Sequence, residues 1–420
     1  MNIWIVTIYE PLPFGDAKTR PQRCGMLAKE LLERGHTVEL WTSAFDHVSH
    51  RHYHEDSLLE KASERFSIQF IKGCGYPNDH SLKRFFHNRQ TGREFYNLSS
   101  NRNDEPAIIF APVPILELAE SAVYYANKRN IPVIVDVRDL WPDVYLTMVP
   151  KPFHFFAKLV LSSEYRRARY IFSKATGITA VSKAYLNRGL SHAGRVLQDA
   201  DHVFPLGAHY FNNSSFEHNK NISDIISKHL ANFRNKFIVT FIGTFSKFLD
   251  IQNVLEAAKL LSGMKDIQIF IVGSGEQSQD YVKVASQLQN VTMTGWLNST
   301  DIHAILQKTK VGLAAYSKEA LMSLPNKPFE YMAASLPLLS SLPGELAELI
   351  KEHNIGRNYI AGDPVSLARE IQWFYDHPEE TSRMGQKAFD LFSKRFRSDI
   401  VYNEFSEYLE RIVKQHNGKR

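Results

Sequence analysis

Both halves of this chain alternate short apolar runs, rich in β-forming residues, with segments of helical periodicity. This alternation is typical of parallel sheets with helices on both faces, because each parallel strand needs a crossover connection to reach the next one. The chain has 420 residues, 44% of them apolar, which is too long for one ordinary core. The sequence therefore predicts an α/β protein with two domains of about 200 residues each.

The apolar runs place the strands. In the first half the predicted strands are 2–8, 36–42, 67–71, 107–110, 132–137, 176–181 and 201–204. In the second half they are 237–243, 267–272, 291–295, 311–315 and a short buried strand at 336–341 that is entered at a Pro. Predicted helices include 21–34, which ends at Gly35, and 363–376, 379–395 and 398–414 near the C-terminus. The polar residues 212–221 predict a linker between the domains.

Composition excludes several classes of protein. No apolar run approaches the roughly 18 to 20 residues that span a bilayer, and residues 1–9 predict a strand rather than a signal peptide. The two cysteines, Cys24 and Cys74, argue against a disulfide scaffold and suit a reducing compartment. The net charge of +5 accompanies no nucleic-acid-binding motif. We therefore expect a cytoplasmic protein without a nucleic acid partner.

The most informative stretch is 323–345, which begins Ser-Leu-Pro-Asn-Lys-Pro-Phe-Glu-Tyr-Met-Ala-Ala. Asn326 is predicted to cap a helix that has Pro328 in its first turn. The unpaired N–H groups and partial positive charge of such a helix start favour an anion such as a diphosphate. Lys327 and Glu330 share a helix face, although a solvated ion pair would also explain these two residues taken alone. The predicted apolar stripe comprises Phe329, Met332, Ala333 and Leu336.

Two segments of the chain resemble a known family. Residues 325–337 are similar to the signature of glycosyltransferase family 4, retaining enzymes of the GT-B fold, with Ser335 where Gly is commoner. Residues 136–143, Asp-Val-Arg-Asp-Leu-Trp-Pro-Asp, resemble a segment of those family 4 enzymes that build bacterial O-antigen or capsule polysaccharide. The resemblance covers nearly the whole chain and is strongest in these two segments.

The resemblance implies a fold and a division of labour. It implies an α/β GT-B protein, with two Rossmann-like doubly wound domains facing a central cleft. Residues 1–207 would form the acceptor domain and 208–395 the nucleotide-sugar donor domain. Residues 396–420 would form a C-terminal helix that crosses back to the N-terminal domain.

The resemblance also implies a reaction. A metal-independent glycosyltransferase, of hexosyl or N-acetylhexosaminyl type, would move a sugar from a UDP-sugar to a lipid-linked saccharide acceptor in lipopolysaccharide or capsule assembly. No cofactor is expected. Two alternatives stay open: a nucleotide-sugar epimerase built on the same fold, and a non-catalytic partner of another transferase.

Positive charge at the leaving diphosphate is the largest demand of this chemistry. Lys247 follows the predicted strand 237–243 and precedes a predicted helix, where it could neutralise a diphosphate, although it could also be an exposed loop lysine. Lys327 and the helix start at Asn326 would act with it. Glu330 would accept hydrogen bonds from the ribose hydroxyls, a role carried over from the second Glu of the family pattern.

Glycine-containing turns follow several predicted strands of the second half. The resemblance places the diphosphate and nucleoside beside Gly243, Gly273, Gly275 and Glu276, and the base near Trp296. A lone Gly-x-Gly pair is weak evidence for a nucleotide site. The family pattern also expects a Glu eight positions before Glu330, where this chain has Met322, so contacts to the donor sugar are not assigned; Glu319 is too far away in sequence to replace it.

In the first half, the loop over residues 9–23 is long for a connection between a strand and a helix, and such loops bind ligands in parallel-sheet folds. The basic residues of this loop, Lys18, Arg20 and Arg23, could face a phosphate. The acidic residues Glu10 or Asp16 could face a sugar hydroxyl. The resemblance makes Gly15 the nearest match to a glycine between donor and acceptor. It also places Arg138 and Asp139 near the acceptor or the anomeric carbon, although a capping Asp paired with an Arg would be a structural alternative.

Aromatic and basic residues are interleaved over residues 151–171. Between 151 and 188 there is one acid, Glu164, among eight basic residues: Lys151, Lys158, Arg166, Arg167, Arg169, Lys174, Lys183 and Arg188. This pattern predicts peripheral contact with the anionic inner face of the cytoplasmic membrane, with ordinary packing as the alternative. Residues 82–94 have a similar mixture and predict either an anionic contact or a flexible loop.

Two segments could hold a metal, and we expect neither to do so. The histidines at 47, 50, 52 and 54 have no completing ligand at a suitable spacing, so a solvated loop is predicted. Asp199 and Asp201 form an Asp-x-Asp match to the metal motif of the other large transferase fold, which is weak by itself.

Overall fold

The computed structural model describes residues 1–12, 21–78, 81–209, 223, 226, 233, 235–275 and 278–418. The chain forms two compact units: Met1–Pro205 together with Val401–Arg420, and Leu206–Ile400. The predicted linker over 212–221 lies outside the described residues. Within the described part, no helix combines the length and apolar character that crossing a bilayer requires.

The strands in chain order are β1 (Asn2–Val6), β2 (Thr37–Ser43), β3 (Phe45–Asp46), β4 (Arg51–His52), β5 (Leu58–Lys61), β6 (Phe66–Ile71), β7 (Ile108–Val113), β8 (Val133–Val137), β9 (Gly177–Ala180), β10 (His202–Val203), β11 (Phe237–Ile242), β12 (Ile267–Val272), β13 (Val291–Gly295), β14 (Thr309–Ala314), β15 (Leu338–Ser340) and β16 (Gly356–Asn358).

The described helices are α1 (Arg23–Glu33), α2 (Leu82–Ser100), α3 (Leu116–Lys128), α4 (His154–Val160), α5 (Ser162–Lys174), α6 (Lys183–Ala193), α7 (Ile251–Leu260), α8 (Ser278–Ala285), α9 (Ser299–Leu306), α10 (Asn326–Ala333), α11 (Glu345–His353), α12 (Pro364–Asp376), α13 (Pro378–Arg395) and α14 (Ser398–Asn417). Short 3₁₀ helices cover Asp143–Met148 and Lys151–Phe153.

The first unit is built on an eight-stranded sheet in the order β10-β9-β8-β7-β1-β2-β6-β5. All of its neighbouring strands are parallel except β5, which runs antiparallel to β6 at the edge. The seven predicted strands of this half are all present, and β5 was not predicted. All four residues of β5 are exposed, and its sequence does not alternate apolar and polar residues in the way that would indicate a strand.

The last helix completes the core of the first unit. Phe405, Leu409 and Ile412 of α14 are buried in one cluster with Ile3 and Leu27. Polar contacts hold the same helix: Tyr408 Oη donates to the carbonyl of Ala200 at 2.6 Å, and Arg34 Nε donates to Glu410 Oε1 at 2.9 Å.

The second unit is built on a six-stranded parallel sheet in the order β13-β12-β11-β14-β15-β16. Apolar clusters cover its two faces, one including Phe329 and Met332 of α10, the other including Ile251 and Val254 of α7. Because all six strands point the same way, their carboxyl ends and the following loops lie at one edge of this sheet, which is where ligands bind in such folds.

The flexible-loop alternative for residues 82–94 is wrong, whereas their contact with an anionic surface stays a prediction. Residues 82–94 belong to α2, whose N-cap Ser81 accepts a bond from Lys83 N–H at 3.1 Å and whose Gly92 lies against the backbone of Glu117 on α3. Buried Phe95 anchors the same helix. Residues 47–54 are largely exposed, as expected for a solvated loop, although Arg51 and His52 form β4 and pair with β3 in a short hairpin.

Candidate functional site

The loops that follow β11 and β12 pack against each other at the carboxyl edge of the second sheet. The N–H of Gly243 donates to the carbonyl of Val272 at 3.0 Å, and Phe245 forms a parallel bridge with Gly275. A Cβ atom on Gly273 or Gly275 would collide with the backbone of Gly243 or Phe245, respectively. The two glycines are therefore required for the close approach of the two loops.

The loop that carries Lys247 is tied to the chain that follows β14. Ser317 Oγ donates to the carbonyl of Lys247 at 2.8 Å, and the N–H of Ser317 donates to the carbonyl of Phe248 at 3.0 Å. Lys247 is exposed, and its Nζ lies 5.1 Å from the centroid of the Phe248 ring. The backbone of Lys247 is thus held in place while its ammonium group remains in solvent, where it can meet an anion.

Helix α10 presents Lys327 and Glu330 on one face, as predicted. Lys327 Nζ lies 2.9 Å from Glu330 Oε2, and the two side chains are 31% and 14% exposed. The N-cap prediction is wrong by one residue, because Pro325 is the N-cap and Asn326 is already the first helical residue. Asn326 is exposed at the helix start, so the anion-attracting end of the helix opens to solvent.

The predicted apolar stripe of α10 is largely confirmed, since Phe329, Met332 and Leu336 are buried while Ala333 is only partly so. Sequence reasoning missed Tyr331, which is fully buried. Its hydroxyl accepts a hydrogen bond from Ile242 N–H at 2.9 Å and donates to the carbonyl of Leu313 at 3.1 Å. Burial raises the pKa of Tyr331, so the phenol stays protonated.

The segment that enters α10 contacts the start of α11. Met322 packs its side chain against the core cluster of the second unit, so an apolar contact occupies the position where the family pattern has a carboxylate. Its neighbour Ser323 donates from Oγ to Glu345 Oε2 at 2.9 Å. Glu345 therefore brings a carboxylate beside this segment, and the distance in sequence hid that relationship.

Trp296 follows β13 next to the glycine loops. The N–H of Gly273 donates to the carbonyl of Gly295 at 2.9 Å, which places the two turns side by side. The indole of Trp296 is 76% exposed. A flat aromatic face in this position can stack on a nucleobase.

Arg138 lies just after β8 in the first unit. Its guanidinium pairs with Glu10 and lies 3.8 Å from Cys24 Sγ. Glu10 also accepts from the N–H of Cys24 at 2.9 Å. The prediction that Glu10 faces a sugar hydroxyl is wrong, because its carboxylate caps the start of α1 and neutralises Arg138. Although burial lowers the pKa of Arg138, Glu10 more than compensates and raises it.

Asp139 is partly buried, and its Oδ1 accepts from the N–H of Leu140 at 2.8 Å. Burial raises the pKa of Asp139 above its usual value. The end of the same segment is anchored by Asp143, which accepts from Tyr165 Oη at 2.9 Å and Arg188 Nε at 2.6 Å and lies 3.0 Å from His192 Nε2. These contacts hold the segment that carries Arg138 and Asp139 against α5 and α6.

Several predicted residues do not contribute to a ligand site or lie outside the described part. Arg23 was predicted to face a phosphate, but it is 1% exposed and bonds to Asp136 and to the carbonyl of Pro205. Residues 13–20, with Gly15, Asp16, Lys18 and Arg20, and residues 276–277, with Glu276, are outside the described residues.

The acidic segment has structural partners. Asp201 is buried, accepts from Ile178 N–H at 2.9 Å and pairs with Arg195. Within the ranges that the structure describes, no group of three or more His, Cys, Asp or Glu side chains could hold a metal ion.

The fold has counterparts among solved structures. Sucrose-phosphate synthase from Thermosynechococcus elongatus is 15% identical, with a TM-score of 0.71 over 99% of both chains. HepE from Anabaena, solved in complex with UDP, is 16% identical, with a TM-score of 0.66 over 98% of this chain and 100% of that one. This chain has the GT-B fold. The likeness at these identities establishes the fold alone.

Sequence comparisons match part of this chain to glycosyltransferases. Residues 222–390 match the family described as glycosyl transferases group 1. EpsD of Bacillus subtilis (strain 168), whose own glycosyltransferase designation is provisional, is 25% identical over 187 residues, covering 43% of this chain and 48% of EpsD. The chain thus spans about half the length of this curated relative. The sequence match therefore concerns residues 222–390, while the likeness in fold extends over nearly the whole chain.

Proposed function

We propose that this protein is a retaining glycosyltransferase of family 4 that transfers a sugar from a UDP-sugar to a lipid-linked saccharide in bacterial surface polysaccharide assembly. The observation that carries the proposal lies in the second unit. Three features follow strands of one parallel sheet there. They are the packed loops that carry Gly273 and Gly275, the fixed backbone of Lys247, and the solvent-facing start of α10 with Lys327 and Glu330. The match of residues 222–390 to group 1 glycosyl transferases supports it.

In the proposed reaction, the bond between the sugar and the diphosphate breaks as the acceptor oxygen bonds to the anomeric carbon on the same face. The departing phosphate oxygen takes the acceptor proton, so no protein nucleophile is required. Lys327, Lys247 and the N-terminus of α10 stabilise the negative charge that develops on the diphosphate. These side-chain cations would do so without a metal ion.

The remaining donor contacts follow from the same loops. Glu330, with its carboxylate beside Lys327, would accept hydrogen bonds from the ribose hydroxyls. Trp296 would stack on the uracil ring, and Gly243, Gly273 and Gly275 would let backbone N–H groups approach the nucleotide. HepE, a neighbour in fold, was solved with UDP, which supports UDP as the nucleotide. Arg138 and Asp139 are proposed for the acceptor side.

The acceptor is proposed to be lipid-linked because the first unit exposes apolar side chains beside basic ones. Phe155 and Phe156 on α4 are 69% and 63% exposed, with Lys151 and Lys158 exposed nearby. Leu82 and Phe86 on α2 are exposed as well. Such surfaces enter the headgroup region of anionic membranes. Arg167 does not belong to this surface, because it pairs with the carboxylates of Glu117, Glu120 and Glu164.

The proposal is tested by incubating purified protein with a panel of UDP-sugars, with and without a lipid-linked acceptor, and measuring UDP release and glycolipid formation. We expect transfer that persists in EDTA and falls at least about 100-fold in Lys327→Ala, since each lost charge contact to a transition state costs on the order of 3 kcal/mol. Lys259→Ala removes an exposed lysine from α7 and serves as the control. Near wild-type transfer in Lys327→Ala would exclude the leaving-group role, and turnover without acceptor would favour an epimerase.

A further inference from the structure

The hydroxyl of Tyr331 lies where two central strands of the second sheet separate. The pairing of β11 with β14 ends at Phe241 and Leu313. One residue later, the Tyr331 oxygen is inserted between the strands: Ile242 N–H donates to it at 2.9 Å, and it donates to the carbonyl of Leu313 at 3.1 Å. The phenol thus satisfies a backbone donor and a backbone acceptor at the point where direct pairing stops.

The ring of Tyr331 is also fixed sideways. A Cβ atom on Gly312 would lie 2.6 Å from Tyr331 Cδ2 and 2.7 Å from Tyr331 Cβ, so the ring fills the space that a side chain on β14 would take. With the ring held on Gly312 and the hydroxyl held by two backbone groups, α10 has a defined distance from the end of β11. Residues adjacent to these contacts are Gly243 on one side and Glu330 on the other.

We propose that Tyr331 is a positioning residue for the donor: its hydroxyl sets the spacing between the loop that begins at Gly243 and the face of α10 that carries Lys327 and Glu330. The inference rests on the proposed function, because the spacing matters only if both elements hold one nucleotide sugar. The diphosphate and ribose contacts would then depend on a side chain that does not touch the ligand. Displacement of a binding element by about 1 Å can cost two orders of magnitude in rate.

Tyr331→Phe tests this directly, because it keeps the ring on Gly312 and removes only the hydroxyl. We expect kcat/KM for the UDP-sugar to fall about tenfold or more, with weaker UDP binding by calorimetry, at a temperature well below the variant's measured Tm. Tyr408→Phe is the matched control: it also deletes a buried hydroxyl that bonds to a backbone carbonyl, at 2.6 Å, but in the first unit. It should lose stability and keep wild-type UDP binding.

A second measurement uses the wild-type chain, so it does not depend on whether the variant folds. Hydrogen exchange at the amide of Ile242, which is bonded to Tyr331, should slow when UDP is added, because a ligand that bridges the loop and α10 suppresses local opening. Unchanged exchange at Ile242, or Tyr331→Phe with reduced Tm and wild-type donor kinetics, would leave Tyr331 with a structural role only. Failure of the wild-type protein to bind any nucleotide would instead overturn the proposed function, and this inference with it.

Discussion

Arg23 and Asp136 form a bidentate ion pair that is closed to solvent. Arg23 Nε and Nη2 donate to the two carboxylate oxygens of Asp136 at 2.8 and 2.9 Å, with side chains 1% and 0% exposed. Thr179 Oγ1 donates to the same carboxylate at 2.7 Å. Burial lowers the pKa of Arg23, but Asp136 outweighs it and the pKa is raised. The pair joins α1 to β8, directly before the segment that carries Arg138.

Asp136→Asn should destabilise the first unit strongly, because it leaves the buried Arg23 charge without its counter-ion. Removing one partner of a buried pair costs about 3 to 5 kcal/mol. The free energy of unfolding from urea titration measures the effect. Asp56→Asn is the control, since Asp56 pairs with Lys72 at 2.6 Å on the exposed surface and should change stability little. Equal effects of the two substitutions would show that the burial of the pair is unimportant.

Gly273→Ala should destabilise the packed loops that follow β11 and β12. Gly273 has a φ of 139°, and its α-carbon lies against the carbonyl of Gly243, so a methyl group brings both backbone strain and a collision. We expect the free energy of unfolding to fall by about 1 to 3 kcal/mol or more, measured by urea denaturation. We also expect weaker UDP binding, measured by calorimetry. Gly263→Ala is the matched control, because a Cβ there meets nothing within 4 Å. A Gly273→Ala variant that behaves like Gly263→Ala would contradict the packing described for these loops.

Acidification should destabilise the first unit through His87. The His87 side chain is buried; its Nδ1 accepts from Gly75 N–H at 3.1 Å, and its Nε2 lies 3.3 Å from Ser43 Oγ. Burial, with a smaller effect of the nearby His52 and Arg84, lowers the pKa of His87 from 6.5 to about 4. At pH values between about 4 and 6.5, His87 is therefore protonated in the unfolded chain but neutral in the folded chain. Stability should be highest above pH 6.5 and fall as the pH drops towards 4.

Urea titrations at pH 7.5 and at about pH 4.5 measure this dependence, for which we expect a contribution on the order of 2 to 3 kcal/mol. His87→Asn keeps an oxygen that can accept from Gly75 N–H but cannot be protonated in this range, so it should lose that part of the pH dependence. His416→Asn alters a histidine in an exposed contact and should keep it. An unchanged pH dependence in His87→Asn would show that other groups cause the acid sensitivity.

The proposed membrane contact should depend on the exposed aromatic residues of α4. We expect Phe155→Ser with Phe156→Ser to reduce flotation with phosphatidylglycerol vesicles roughly tenfold, because two exposed rings would no longer be buried in the interface. Leu260→Ser with Val365→Ser removes comparable exposed apolar groups from the second unit and should have no effect. Charge reversal should be limited to Arg166 and Arg169, because reversal of Arg167 would break its contacts with three carboxylates. Flotation that survives both sets of changes would exclude α4 and α5 as the membrane surface.

The sequence predicted most of the strands, and the helices near the C-terminus, because their signals are local. The strands β1, β11 and β12 are dominated by apolar residues, and α12 and α13 show clear helical periodicity. The edge strand β5 and the helix α2 were not predicted because their local patterns are weak. The first is exposed along its length, and the second has only scattered buried residues, so neither carries a strong periodic pattern.

What the sequence by itself determined was the two-part α/β architecture and the common face of Lys327 and Glu330, since a helix turn places residues three apart side by side whatever surrounds them. Only the tertiary structure decided the partners of the buried polar groups. Arg23 bonds to a residue 113 positions away, and Tyr331 to one 89 positions away. Burial makes an unpaired polar group costly, but it does not specify which distant group will pair with it. That choice is made by the packing of strands and helices, which brings Ile242, Leu313 and Tyr331 together.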